Sequence, residues 1–228
     1  YLVTEYIEGQ SLAQWMIDNQ KPTLEQIRDI ISQIANGLQA FHRKAMIHQD
    51  IRPANIMIDK HNIVKIIDFG STYIAGVTNT QEEEVLRGTM RYSAPEYFLG
   101  HAGTERSDIY ALGVIAYQML SGNQFPYSPK IAQARSVAAQ RRLTYRSVIT
   151  EDSELPVWID DALHKAININ PLKRYEEVSE FVYDLHHPNQ IFLDRTRPPL
   201  IQRNPVMFWQ GVSFSLFLVI VLLVAQGQ

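Results

Sequence analysis

The sequence predicts an α+β fold that is mainly α-helical, with short β-hairpins early in the chain and one transmembrane helix at its C-terminal end. Three observations carry this reading. Short β-rich runs are confined to the first part of the chain, apolar residues recur at helical spacing almost throughout the part after Pro95, and residues 206–225 carry no charge. With 46% hydrophobic and 20% charged residues in a chain of 228, the composition is too apolar for disorder and long enough to bury a core. Lys+Arg 21 against Asp+Glu 24 gives a net charge of -3, so the cationic excess of a nucleic-acid binder is missing. Cys 0 excludes disulfide frameworks, thiolate zinc sites and cysteine nucleophiles.

Taken in order, the chain opens with apolar alternation in Tyr1-Leu2-Val3-Thr4-Glu5-Tyr6-Ile7, as if entered inside a β-strand, and Tyr1 is not an initiator methionine. The N-terminus is therefore expected to be cut. Pro22-Thr23-Leu24-Glu25-Gln26 reads as a helix start with Thr23 and Gln26 forming a capping box. Leu24, Ile27, Ile31, Ile34, Leu38 and Phe41 then follow at spacings of three and four, which predicts a long amphipathic helix. Short β-rich runs at 45–48, 56–58 and 63–67 come next, the last two joined by the turn Asp59-Lys60-His61-Asn62. Helices are predicted at 107–121, 130–142, 157–167 and 176–186, with Pro126, Pro156 and Pro171 in the breaks.

Three motifs lie on this frame. His48-Gln49-Asp50-Ile51-Arg52-Pro53-Ala54-Asn55 displays a carboxylate, a cation and an amide from one loop between short strands. Asp68-Phe69-Gly70 places an acid at the end of a strand before a free backbone, where carboxylate oxygen suits a hard divalent metal. Gly88-Thr89-Met90-Arg91-Tyr92-Ser93-Ala94-Pro95-Glu96 closes the long segment that Asp68 opens. The Glu82-Glu83-Glu84 run within that segment reads as a solvated loop face.

In this order and spacing, the three motifs resemble the eukaryotic-type serine/threonine protein kinase family in its large C-terminal lobe, over residues 1 to about 188. The resemblance implies domains at 1–7 (end of an N-lobe strand and hinge) and 8–190 (C-lobe), and the uncharged run adds a linker at 191–205 and a transmembrane helix at 206–225. It further implies ATP and Mg²⁺ as cofactors and a protein substrate bearing Ser or Thr. Asp50 is then the base for the substrate hydroxyl, Arg52 offsets charge on the transferred phosphoryl group, and Asn55 and Asp68 hold the metal. Thr89 resembles the serine/threonine branch. Thr4 matches the gatekeeper of the ATP pocket, Glu5 and Ile7 the adenine-binding hinge, and Met57 the floor under the adenine. Ile7 and Met57 are equally readable as plain core residues. Asp108 is expected to accept backbone donors from the Asp50 loop, Arg174 to pair with Glu96, and His48 to pack beneath Phe69.

Gln49 departs from the family's usual arginine, which implies a segment that orders itself without phosphorylation at Thr78 or Thr80. The family's glycine-rich loop, strand lysine and helix glutamate do not occur within these residues. They belong before Tyr1 in the family, so this stretch is expected to be inactive alone. His42, His61, His101, His164, His186 and His187 have no ligand-like spacing and read as solvated surface. Arg195, Arg197 and Arg203 precede the apolar run with only Asp194 opposing them, which places the catalytic part in the cytoplasm and makes the membrane a partner. A buried hydrophobic helix is the alternative for that run, and a non-catalytic membrane-anchored scaffold is the alternative function. The His-Gln-Asp-Ile-Arg-Pro motif with a C-terminal anchor also resembles bacterial proteins that fuse such a kinase to a serine/threonine phosphatase domain.

Overall fold

The computed structural model describes residues 5–70, 72–74, 89–150, 154–189 and 204–226, and excludes the side chains of 73, 74, 89 and 220–226. The chain divides into two compact units, Tyr1–Pro188 and Asn189–Gln228.

In the first unit, strand β1 (Gly9–Ser11) leads into helix α1 (Leu12–Asp18), whose N-terminus is capped by Ser11 Oγ accepting from the Gln14 amide at 3.2 Å. Sequence periodicity missed both, because they span too few residues to repeat a pattern. Of the strand end and hinge expected at 1–7, residues 1–4 lie outside the described residues, and residues 5–8 form no strand. Helix α2 (Leu24–His42) begins at the predicted capping box, with the Gln26 amide donating to Thr23 Oγ1 at 3.2 Å and the Thr23 amide to Gln26 Oε1 at 2.9 Å. Its buried stripe is Ile27, Ile30, Ile31, Ile34, Ala35 and Leu38.

The β-rich region forms strands β2 (Met46–Ile47), β3 (Ile56–Asp59), β4 (Val64–Ile66) and β5 (Tyr73–Ile74). One antiparallel sheet runs β1-β3-β4, with Ser11 and Lys65 both opposite Met57, and a second pairs β2 with β5. The predicted turn at 59–62 is held by Asp59 Oδ1, which accepts from the His61 and Ile63 amides at 2.8 and 2.9 Å, while Asn62 takes the left-handed φ of 62°.

Helix α3 (Glu105–Ser121) is buried at every position from Ser107 to Met119 and ends at Gly122, whose φ is 67°. Burying a large apolar side chain contributes about 1.5–3 kcal/mol, so Ile109, Leu112, Val114, Ile115 and Tyr117 make this helix the centre of the fold. Against it and each other pack α2, helix α5 (Val157–Ala166) and helix α6 (Val178–His186). The helix expected at 130–142 is instead a 3₁₀ turn, Pro129–Gln133, followed by the short helix α4 (Val137–Gln140). Two serines explain the break. Ser128 Oγ accepts from the Lys130 amide and Ser136 Oγ from the Ala139 amide, each at 3.2 Å, so two short starts replace one long helix.

The second unit contains helix α7 (Pro205–Gln226), started by Asn204 Oδ1 accepting from the Met207 amide at 3.1 Å. Among the described residues no helix is long and apolar enough to cross a membrane, and the side chains of 220–226 in the expected span 206–225 lie outside the described residues.

Candidate active site

The loop between β2 and β3 carries the first cluster. Its backbone is fixed from below by Asp108, in the first turn of α3: Oδ2 accepts from the His48 amide and Oδ1 from the Gln49 amide, both at 2.9 Å. Asp108 is itself buried, so a carboxylate that would be costly alone is met by backbone donors. Gln49 sits at φ 68°, a left-handed conformation sparsely populated by non-glycine residues that this clamp holds in place. His42, expected at the surface, is a correction. Its Nε2 lies 3.0 Å from Asp108 Oδ2 with the side chain 8% exposed, so it closes the carboxylate from the third side. No spacing signal could have found it, since the two residues are separated by 66 positions.

Beyond the clamp the chain turns through the 3₁₀ segment Pro53–Asn55, which folds Asn55 back on Asp50. Asn55 Nδ2 donates to Asp50 Oδ2 at 2.7 Å and to the Asp50 carbonyl at 2.9 Å. Arg52 Nε lies 3.5 Å from Asp50 Oδ2 and 3.4 Å from Asn55 Oδ1. Two predicted residues, Asn55 and Arg52, are thus brought to one oxygen of the Asp50 carboxylate. Among the described residues Asp50 Oδ1 takes no hydrogen bond, leaving one oxygen to accept a proton from outside.

Asp68 reaches the same place through the sheet. The Ile67 amide donates to the Asn55 carbonyl at 2.9 Å, extending the β3–β4 pairing so that Asp68 follows directly beside Asn55. Its φ of 64° turns the exposed carboxylate outward, where Oδ1 accepts from the Gly70 amide at 3.3 Å. Phe69 rests on His48 and Phe41, with ring centroids 5.8 and 5.3 Å away. Burial lowers the His48 pKa, opposed by the nearby Asp108 and Asp50 charges, so the ring is a neutral packing element as expected.

An exposed carboxylate next to an amide oxygen is an all-oxygen donor pair that fits Mg²⁺. Among the described residues no group of three or more His, Asp or Glu could hold a metal. A cation held by Asp68 and Asn55 would take its remaining ligands from phosphate and water, and would neutralise charge on the phosphates.

At the expected adenine-binding edge, Lys65 opposes Met57 across the sheet and its ammonium reaches Glu5 at 2.6 Å. Glu5 and Met57 thereby both neighbour Lys65, and Ile7 and Met57 are half-buried. Thr4, Thr78, Thr80, the Glu82–Glu84 run and the side chain of Thr89 lie outside the described residues. Farther out, Arg174 donates to Glu96 Oε1 and Oε2 at 2.7 Å each, with Ser107 Oγ donating to Glu96 Oε1 at 2.7 Å.

The chain belongs to the protein kinase domain family, which it matches over residues 1–187. Among curated proteins it is similar to the serine/threonine-protein kinase drp72 of Corynebacterium efficiens, 39% identical over 54% of this chain and 24% of that one. It is also similar to the probable serine/threonine-protein kinase PknB of Lactococcus lactis, 28% identical over 81% of this chain and 29% of that one. The serine/threonine-protein kinase PrkC of Bacillus subtilis is 30% identical over 81% of this chain and 28% of its own length. The chain therefore spans under a third of the length of these relatives, and none of the three names mentions a phosphatase.

Proposed function

We infer that this chain carries the catalytic loop of an ATP-dependent protein serine/threonine kinase, with Asp50 as the base toward a substrate hydroxyl. The observation that carries this reading is the Asp50–Asn55 contact at 2.7 Å, with Asp68 one residue past the backbone bond to Asn55. Asn55 and Arg52 crowd Oδ2 of Asp50 and leave Oδ1 for the incoming hydroxyl proton. Arg52 then lies where negative charge accumulates on the moving phosphoryl group. Asn55 and Asp68 are the ligands for Mg²⁺ on the phosphates, and Met57 with the backbone of Glu5 and Ile7 supports the adenine. Thr4 and Thr89 keep their roles by resemblance alone.

The test is phosphate transfer from Mg²⁺-ATP to a Ser/Thr protein by the protein as its gene encodes it. Asp68→Ala should abolish transfer and Asp50→Asn should lower turnover at least a thousandfold, while ATP still binds Asp50→Asn. Mg²⁺-ATP binding without transfer in the unaltered protein would favour the anchored-scaffold reading instead.

Attachment to a membrane through residues 206–225, with the catalytic part in the cytoplasm, is supported by the sequence: twenty uncharged residues preceded by Arg195, Arg197 and Arg203. Alkaline carbonate extraction checks it. The protein should stay in the membrane pellet, and replacing Leu216 and Leu218 by Arg should release it.

A further inference from the structure

Between Asp108 and Glu151 the sequence contains no acidic residue but five cations, Lys130, Arg135, Arg141, Arg142 and Arg146, in a chain whose net charge is -3. All five are exposed, as is Arg91. Among the described residues none of the six is in an ion pair. Asp160, which packs against this segment, accepts from Tyr145 Oη at 2.7 Å, Ser147 Oγ at 2.7 Å and the Val148 amide at 2.8 Å. Glu96 is buried against Arg174. Exposed cations in surplus make a surface that attracts negative charge.

The fold connects this surface to the site. The turn Thr89–Arg91 packs on the turn Pro129–Gln133. The Arg91 guanidinium lies 4.7 Å from the Phe125 ring centroid, and Arg91, Phe125, Pro126, Ser128, Pro129 and Ile131 line one shallow depression. Lys130 lies in the same turn, Pro129–Gln133, and the Arg146 amide donates to the Pro126 carbonyl at 2.9 Å. Gln140, just before Arg141 and Arg142, donates to the Pro95 carbonyl at 2.6 Å. Tyr92, next to Arg91, is close enough to Arg52 for that charge to act on its phenol, and Arg52 touches Asp50. Tyr92, flanked by Arg52 and Arg91, thus connects the Asp50 loop to the edge of this surface.

We propose that this basic surface binds an acidic segment of the protein substrate, so that acceptor hydroxyls flanked by Glu or Asp are preferred. The proposal rests on the kinase reading and deepens it. Charged groups at the edge of a site mainly set encounter and specificity, and their effect falls with salt.

Three peptides test it, identical in their acceptor and carrying three Glu, three Gln or three Lys beside it. For the protein as its gene encodes it, kcat/KM for the Glu peptide should exceed that for the Gln peptide about tenfold at low salt, a handful of exposed pairs being worth roughly that. The Lys peptide should be poorer than the Gln peptide, and 0.5 M NaCl should erase the difference. The triple variant K130E/R141E/R142E should reverse the preference while kcat on the Gln peptide stays within about twofold. A Glu-to-Gln ratio within twofold overturns the proposal.

If no peptide is phosphorylated, the kinase reading fails, and fluorescence anisotropy of labelled Glu and Gln peptides decides separately: tighter binding of the Glu peptide, lost in the triple variant, upholds the surface. Equal binding overturns it. Phosphatidylserine vesicles captured through the same three residues, with no peptide preference, would overturn it in favour of a lipid partner.

Discussion

At the scale of single residues, two side chains of the site use their polar atoms in full. Asp108 serves two backbone amides and His42 at once, and Asn55 spends both amide hydrogens on Asp50. His48 gives a consequence for pH. Burial lowers its pKa below the ordinary 6.5, so between the two values the unfolded chain binds more protons than the folded one. Stability from this group is complete above pH 6.5 and is lost as the pH falls toward the lowered value. One proton bounds the slope at about 1.4 kcal/mol per pH unit. Thermal melts between pH 7 and 5 should fall, and His48→Gln should flatten that fall; an unchanged slope would remove His48 as its source. Asp50, Asn55 and Asp68 were legible in the sequence because a short loop and a strand end display them together. His42 was not legible, since a contact across 66 residues leaves no trace in spacing.

Among the elements, long periodic helices were readable and short pieces were not. Helix α2 begins at its predicted capping box because the signal is local: two side chains and two amides three residues apart. β1 and β5 were missed because their pairing is decided by distant strands, as in Gly9 opposite Asp59 and Met46 opposite Ile74, and α1 because seven residues are too few to repeat a pattern. The 130–142 stretch misled because serine side chains capture backbone amides at two points inside an apolar pattern. In α3, Gly113 has a packing role. A Cβ there would stand 2.7 Å from Ile167 Cγ2 and 3.0 Å from Ala166 Cβ, where α3 meets the end of α5. Alanine ordinarily stabilises a helix interior by up to about 1 kcal/mol over glycine, whereas overpacking costs about 1–3 kcal/mol. Gly113→Ala should therefore destabilise by about 1–2 kcal/mol in denaturant titrations, and a gain in stability would show that the α3–α5 contact yields.

On the scale of the molecule, the first unit is closed by bonds between residues far apart in sequence. Arg28 Nε donates to the Leu185 carbonyl at 2.7 Å, joining α2 to the end of α6. Arg174 joins the loop before α3 to the turn before α6 through Glu96, the Arg106 carbonyl at 2.9 Å and the Asn168 carbonyl at 2.7 Å. Removing one partner leaves a buried charge, so Arg174→Met should cost about 3–5 kcal/mol. A fall in Tm of about 10 °C is expected, and Glu96→Leu added to it should restore part of the loss; full stability in Arg174→Met alone would refute this account. The family was legible because its motifs are short and fixed in order, while the basic surface was hidden in an overall charge near neutrality. The Asp108 clamp also sets a clock. The His48 and Gln49 amide protons are held by a carboxylate rooted in the most deeply buried helix, so hydrogen exchange there waits for α3 itself to open, and a surface loop keeps the time of the core.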